Sequence, residues 1–310
     1  MKEITSEFSL MCAPMQGLTE VAYRHIHASL FGNDAKYFTP FIRFEKGEVR
    51  RRDLNDWISP LNNGSEVTPQ IIFKDADEFE RILNLLISKG TERVDLNMGC
   101  PFPPQVKKGR GAGMLGQPEQ LRLIADIIKN RNREISFSLK MRLGVSEPDG
   151  WMKIVDILND MPLQHITIHP RTSVQQYSGD LHLNEFERLS EALDHKIIFN
   201  GEITKPEDIS TLRDKYPELS GVMVGRGLIY RPTIFAEWLS GKDYSKDDLM
   251  DSAFILHRKL LDFYSETLCG DAQILSKIKP FTEYLSPYIE RKHLKKLIKA
   301  HSLRDYRESL

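Results

Sequence analysis

Residues 196–227 read KIIFNGEITKPEDISTLRDKYPELSGVMVGRG. Ile197, Ile198 and Phe199 form a short apolar run that stops at Asn200-Gly201, the composition of a buried strand and its exit. TKPEDISTL then carries helix-start chemistry. Thr204 and Glu207 stand at capping-box spacing, and Pro206 falls in the first turn, where its missing N–H costs nothing. GVMVG, from Gly221 to Gly225, reads as a second buried strand. Strand, helix and strand in so short a stretch make a βαβ unit, with the helix carrying the chain back so that the strands lie parallel.

The unit recurs along most of the chain. Eight short segments are rich in β-branched or aromatic residues: FSLM near Phe8, KYFTPF near Tyr37, QIIF from Gln70, RVDLN from Arg93, SFSLKMRL from Ser136, HITIH from His165, KIIFN and GVMVG. Their mean spacing is about 30 residues, the length of one βα unit. Between them lie helical patterns. DADEFERILNLLISKG places Phe79, Ile82, Leu83 and Leu86 on one face, with Asp75 and Glu78 as a capping box and Gly90 as the stop. QPEQLRLIADIIKN does the same with Leu121, Ile124 and Ile128. The alternation predicts an α/β fold, a (β/α)8 TIM barrel. A doubly wound open sheet is the competing reading. It announces itself by G-x-G-x-x-G after the first strand, and nothing of that kind follows FSLM.

After Gly241 the strand signal ends. Leu249, Ala253, Leu256, Leu260 and Phe263 follow helical spacing, as do Leu294, Leu297 and Ile298. We expect a barrel domain over 1–241 and a small all-helical domain over 242–310. Between Ala272 and Arg304 there are eight Lys/Arg against two Glu. Such a run is either a solvated helix surface or a surface that tracks phosphates.

Composition bounds the function classes. The chain has 310 residues, 40% hydrophobic and 28% charged, which sets aside disordered and fibrous classes. Its formal net charge of −1 carries no argument about nucleic acid, so only the distribution of charge can. No apolar run approaches the roughly 18–20 residues of a membrane span. MKEITSEFSL lacks the basic-then-apolar layout of a signal peptide, so a cytoplasmic protein without membrane partners is expected. Cys12, Cys100 and Cys269 make an odd count without C-x-x-C spacing, which argues against a disulfide framework or a metal site. A monomer is expected.

In a barrel the chemistry sits at the C-terminal ends of the strands. Read in order, the strand ends carry Pro14-Met15-Gln16, then Gln70 at the opening of the third strand, Asn97 running into Cys100, Lys140-Met141-Arg142, His169-Pro170-Arg171, Asn200-Gly201-Glu202 and Gly225-Arg226-Gly227. One polar residue closing an apolar strand is ordinarily a satisfied cap. Asn97, Lys140, His169 and Asn200 together on one rim are hard to explain by packing. Gly225-Arg226-Gly227 after the last strand lies where barrels bind phosphate, glycine allowing backbone N–H groups close to an anion. Lys140 needs a partner in a barrel mouth: an ion pair with Glu202 or Asp95, or a cofactor that becomes anionic, of which a flavin is one. Cys100, between Gly99 and Pro101, is held on a tight turn beside these groups, as a nucleophile or as a general acid. Cys12 and Cys269 read as buried, inert thiols. Lys107 to Gly113 reads as a flexible cationic loop, solvated or folding over a polyanion.

APMQGLTEVAYR, DLNMGCP, LKMRLG, HPRT, FNGEI and GVMVGRGLIYRP, in this order from Ala13 to Pro232, resemble the signature segments of the tRNA-dihydrouridine synthase family. The resemblance implies an FMN-bound barrel that reduces a uridine of tRNA to 5,6-dihydrouridine with NADPH as reductant. Pro14, Met15 and Gln16 would lie against the flavin, with Gln70 and Lys140 at its ring system. His169, Asn200, Gly201, Glu202, Gly225 and Arg226 would hold its phosphate arm. Asn97 would contact flavin or target base, and Cys100 would be the acid that protonates C5. Arg43, Arg142, Arg171 and Tyr177 would face the RNA, as would Lys277 and Lys279 in the helical tail. The chain departs from the family's usual pattern in QIIFKDAD, at Pro103-Pro104 and at the proline of HPRT. Three readings compete: an FMN barrel oxidoreductase acting on a free pyrimidine, a non-catalytic tRNA-binding barrel, and a phosphate-binding barrel lyase or isomerase without flavin.

Overall fold

The computed structural model describes residues 8–310. The start of the chain, on which the leader argument rests, lies in part outside the described residues. The first strand, β1 (Ser9–Cys12), turns Leu10 and Cys12 to one face and Met11 to the other. KYFTPF does not form one strand. β2 (Lys36–Phe38) stops before Pro40 and β3 (Ile42–Glu45) resumes after it, because proline offers no N–H to the ladder. β3 continues into an antiparallel hairpin with β4 (Glu48–Val49). Pro69 splits the next rib in the same way, into β5 (Val67–Thr68) and β6 (Gln70–Ile72).

β2 pairs with β5 and β3 with β6. The Thr39 N–H reaches Thr68 O and the Asp95 N–H reaches Pro69 O, both at 3.0 Å, so the ladder crosses both breaks. β7 (Arg93–Met98), β8 (Ser136–Gly144), β9 (Leu163–Thr172), β10 (Ile197–Asn200) and β11 (Gly221–Val224) follow in parallel. β11 then pairs with β1 through Val222 and Leu10. The sheet is the predicted barrel of eight parallel ribs, two of them broken by proline.

The helical shell comprises α1 (Val21–Phe31), α2 (Arg51–Trp57), α3 (Ala76–Ser88), α4 (Pro103–Val106), α5 (Pro118–Arg131), α6 (Val155–Asn159), α7 (Leu183–Ala192), α8 (Pro206–Lys215), α9 (Arg226–Tyr230) and α10 (Ile234–Ser240). In α3 the predicted face is fully buried, and Asp75 accepts from the Glu78 N–H at 2.8 Å. The Glu78 carboxylate accepts from Lys74 N–H rather than from the cap residue itself. In α8 the box lies one residue later than Thr204 and Glu207 predict. Asp208 accepts from the N–H groups of Thr204 (2.8 Å) and Lys205 (3.1 Å).

Strand alternation sorts the core into two. Val94, Leu96, Phe137, Leu139, Met141, Ile166, Ile168, Phe199 and Val222 face the helices in one large cluster. Met11, Ala13, Phe38, Ile198 and Met223 form a separate small one inside the barrel. The interior is otherwise polar, since Asp95 and Asn97, Ser138, Lys140 and Arg142, and Thr167 and His169 occupy the alternate positions of the same strands.

The rest of the chain is α11 (Lys246–Thr267), α12 (Asp271–Thr282), α13 (Arg291–Lys299) and α14 (Leu303–Ser309). Leu256, Leu260 and Phe281 belong to the same apolar cluster as the barrel's outer shell. Phe281 stacks on Tyr23 of α1 with ring centroids 6.1 Å apart. Lys277 and Lys279 depart from their expected place on an RNA surface. Lys277 forms a half-buried ion pair with Glu20 of the barrel. Lys279 Nζ donates to Ala300 O at 2.6 Å, where a cation meets the free carbonyls at the end of α13. Arg291, Lys292, Lys295, Lys296 and Lys299 of α13 are exposed and have no ion-pair partner among the described residues. No helix among the described residues is long and apolar enough to cross a membrane.

Candidate active site

At the C-terminal mouth of the barrel the strand ends enclose a cavity of about 750 Å³. Pro14, Met15 and Gln16 line it from the end of β1, and Gln16 Nε2 is fixed to Phe41 O at 3.1 Å. Asn97 and Cys100 line it from β7, Lys140 and Arg142 from β8, and His169 and Tyr177 from β9 and the loop beyond. Asn200, Gly201 and Glu202 follow β10, and Gly225 and Arg226 follow β11. Arg43 reaches the cavity from β3, just beyond the KYFTPF segment.

Two buried hydrogen-bond chains support this rim. In the first, the Ser138 hydroxyl donates to Asp95 Oδ1 (2.6 Å) and Gln70 Nε2 donates to Asp95 Oδ2 (2.7 Å). Asn97 Nδ2 donates to Gln70 Oε1 (2.7 Å), and Asn97 Oδ1 accepts from the N–H groups of Gly99 (3.1 Å) and Cys100 (2.9 Å). The chain runs from the barrel floor to the turn that carries the thiol. Gln70 is 0% exposed and stands beneath the cavity rather than on its wall, a correction to its expected contact with a ring system. In the second chain, Lys140 Nζ donates to Asn200 Oδ1 and Asn200 Nδ2 to Met223 O, both at 2.7 Å. Lys140 pairs with neither Glu202 nor Asp95.

Burial sets the protonation states. It holds Lys140 down to about 7, with the Arg142 charge adding to the effect. It pushes Asp95 up to about 6 despite the bonds from Ser138 and Gln70. The Cys100 thiol is raised by burial, against the smaller opposing influence of the Phe102 backbone, Arg142 and Lys140. His169 is driven well below its usual value by burial and by the surrounding cations. It is therefore neutral, and Arg171 Nη1 lies 3.3 Å from its Nε2, so the ring proton sits on Nδ1.

The segment after Cys100 forms a short helix and turns back against the barrel. Its chain enters α4, turns, and comes back at Gly111, whose φ is +56°. A Cβ on Gly111 would stand 2.7 Å from Cys100 Cβ, and the Ala112 N–H donates to Cys100 O at 3.1 Å. Arg110 is buried, with Nε donating to Glu78 Oε2 at 3.0 Å and Nη2 reaching Phe44 O. The thiol is thus held from two sides.

Arg171 is also corrected. It is 4% exposed, donates to Gly179 O at 2.7 Å and pairs with Glu202 at 2.7 Å, so it closes a loop instead of facing solvent. Arg142 is anchored to Gly99 O (3.0 Å) and Thr172 O (2.8 Å) and still borders the cavity. Tyr177 is 56% exposed, with the guanidinium groups of Arg226 and Arg142 at 5.1 and 5.5 Å from its ring centre. Cys12 is buried and pushed up to about 12, as expected of an inert thiol, whereas Cys269 is exposed. Sequence reasoning misses Phe41, Phe102, Tyr230 and Tyr284 on the cavity wall. Tyr284, which packs on Tyr230 with centroids 4.6 Å apart, brings the helical tail to the site. No motif marks it.

A family model described as "Dihydrouridine synthase (Dus)" matches residues 11–307. The chain belongs to the dihydrouridine synthase family. A "Probable tRNA-dihydrouridine synthase" of Staphylococcus aureus is 27% identical over 263 residues, covering 82% of this chain and 77% of its own. A "Probable tRNA-dihydrouridine synthase 2" of Bacillus subtilis is 27% identical over 278 residues, covering 86% and 81%. Among solved structures, the old yellow enzyme from Trypanosoma cruzi superposes with a TM-score of 0.52 at 11% identity, over 76% of this chain and 89% of that one. A morphinone reductase variant in complex with tetrahydroNAD superposes with a TM-score of 0.51 at 8% identity, over 75% and 86%. These two share the barrel fold with this member of the dihydrouridine synthase family. Its Asn97, Cys100, Lys140, His169 and Asn200 lie together on one rim of that barrel.

Proposed function

We propose that this family member reduces a uridine of tRNA to 5,6-dihydrouridine, with FMN as cofactor, NADPH as reductant and Cys100 as the proton donor. The observation that carries the reading is one cavity holding a raised thiol on a fixed turn and a half-buried lysine amine whose one hydrogen-bond partner among the described residues is neutral. About 750 Å³ is ample for a flavin ring with a pyrimidine beside it. The donor set fits that group. Lys140 is held down to about 7 with only Asn200 to bond among the described residues, so an electron-rich ring edge would satisfy it. Gly201, with φ +151°, and Gly225 leave backbone open beside the half-exposed Arg226, as an anionic arm requires.

Pro14, Met15 and Gln16 would bear on the ring, and His169, Asn200, Gly201, Glu202, Gly225 and Arg226 would hold the phosphate arm. Bound FMN supplies the hydride that uracil C6 accepts. C5 then needs a proton. Burial keeps the Cys100 thiol protonated at neutral pH, the form an acid needs and a nucleophile does not. Asn97 fixes the turn that aims it. Arg142, Tyr177 and Arg43 border the space a uridine occupies once it leaves its stack, and uridine must leave because the ring cannot reach a stacked base. The tail, 242–310, is proposed as the RNA-binding domain, through the unpaired cations of α13 rather than through Lys277 and Lys279. A cytoplasmic location goes with this substrate.

The test is direct. The purified protein should be yellow, release FMN on denaturation, bleach with NADPH, and form dihydrouridine in unmodified tRNA. Turnover of free uracil or orotate at rates matching tRNA would sink this reading in favour of a free-pyrimidine oxidoreductase. Colourless protein that binds tRNA would make it a non-catalytic module.

A further inference from the structure

Beside the mouth lies a second cleft of about 750 Å³. Five cations and one acid line it: Arg43, Lys46, Lys74, Lys108, Arg110 and Glu45. Arg43 and Phe102 line the main cavity as well, so the two spaces adjoin. The charges are unevenly satisfied. Arg110 is committed to Glu78, and Glu45 is shared between Arg43 (3.7 Å) and Arg50 (3.5 Å). Among the described residues Lys74 meets only the part-exposed Asp75, at 3.2 Å. Lys46 and Lys108 have no ion-pair partner among the described residues.

Two further features point to a ligand. Lys46 sits at the tip of the β3–β4 hairpin with φ +53°, followed by Gly47 at +90°. A two-residue turn of this kind favours asparagine or glycine, so a lysine there is a conformational cost without a structural return in this fold. Phe102 is 58% exposed where the two spaces join, held between Pro101 and Pro103. Beside it Gln105 Oε1 is buried without a partner.

We propose that this cleft holds the RNA strand flanking the reduced uridine, its phosphates on Lys46, Lys74 and Lys108 and one unstacked base on Phe102. The proposal rests on the reading of the main cavity as the uridine site. Cations gathered in one cleft attract a polyanion through its phosphates, and an exposed aromatic face stacks any base without choosing among them.

The test uses the FMN-loaded full chain carrying Lys46→Asn, Lys74→Gln and Lys108→Gln together, with Phe102→Ala as a separate variant. Asparagine keeps the hairpin tip unstrained. NADPH bleaching of the triple variant, and its KM for NADPH, should match wild type. Its KM for tRNA should rise roughly tenfold or more at 0.15 M salt, and the slope of log KM against log salt should fall by about 2, near 0.7 per lost single-strand phosphate contact. Arginine at all three positions should restore both. An unchanged tRNA KM and slope would overturn the proposal, as would a raised NADPH KM with normal tRNA kinetics, which would give the cleft to the dinucleotide. If wild type forms no dihydrouridine, the uridine reading itself fails. If wild type works and the triple variant behaves identically, only the cleft proposal does.

Discussion

At the residue scale the site is a problem of holding one thiol still. Asn97 fixes the turn from below and Gly111 backs it from the side. Gly111→Ala would put a Cβ 2.7 Å from Cys100 Cβ at a φ of +56° that disfavours side chains. We expect a stability loss of about 1–3 kcal/mol. We also expect a larger fall in uridine reduction than in NADPH bleaching, measured on the same preparation. Equal falls in both would mean that the glycine serves the fold alone. Asn97, Lys140, His169 and Asn200 were legible because each follows an apolar run with chemistry that packing does not need, although Lys140 and His169 lie inside β8 and β9 rather than at their ends. Arg171 was misread for a physical reason. Spacing put it at the rim, but the Gly179 carbonyl and Glu202, remote in sequence, draw it inward. Gln70 was misplaced likewise, since only the fold reveals Asp95 and Asn97 on either side of it.

At the scale of elements, short apolar strands recurring about every 30 residues, with capped helices between them, made the barrel readable, and the structure adds the parity of each strand. Apolar residues on one parity and Asp95, Ser138, Lys140, Thr167 and His169 on the other require strands whose two faces meet different surroundings. Pro40 and Pro69 broke two ribs into pieces of two to four residues, too short for a pattern to register. The β3–β4 hairpin was missed for the same reason, although Lys46-Gly47 is a two-residue turn. In the tail, composition alone could not separate cations that hold the fold from cations that face solvent. Lys277 and Lys279 are the former. Lys277→Ala should lower stability by about 1 kcal/mol by stripping the half-buried Glu20 of one of its two cations, while the salt slope of tRNA binding stays at the wild-type value. A flattened slope for that variant would return Lys277 to the RNA surface. Neutralising Lys292, Lys295 and Lys296 should flatten it.

Across the whole molecule, buried imidazoles set the response to acid. Burial holds His27 down to about 4, His165 to about 4 and His257 to about 3. Each is neutral when folded and takes a proton near pH 6.5 when unfolded. Stability is therefore lost as pH falls from about 6.5 towards these folded values, on the order of 3 kcal/mol per group. Asp95, raised to about 6, acts in the opposite direction, its contribution being lost as pH rises from about 4 to 6, and burial raises Asp53 as well, but these two carboxyls oppose four imidazoles once His169 is counted. Urea midpoints measured across pH 7 to 4 should drop steeply. His165→Phe, removing a ring whose Nε2 has no partner, should recover part of the drop. A flat profile would mean that these rings are hydrated or already charged.

The central claim is that a protonated Cys100 completes uridine reduction after hydride transfer. The measurement is single-turnover dihydrouridine formation by pre-reduced, FMN-loaded Cys100→Ala on unmodified tRNA, beside its rate of bleaching by NADPH. The account predicts normal flavin content, normal bleaching and product formation slower by roughly 10²-fold or more. Dihydrouridine formed at the wild-type rate would contradict it.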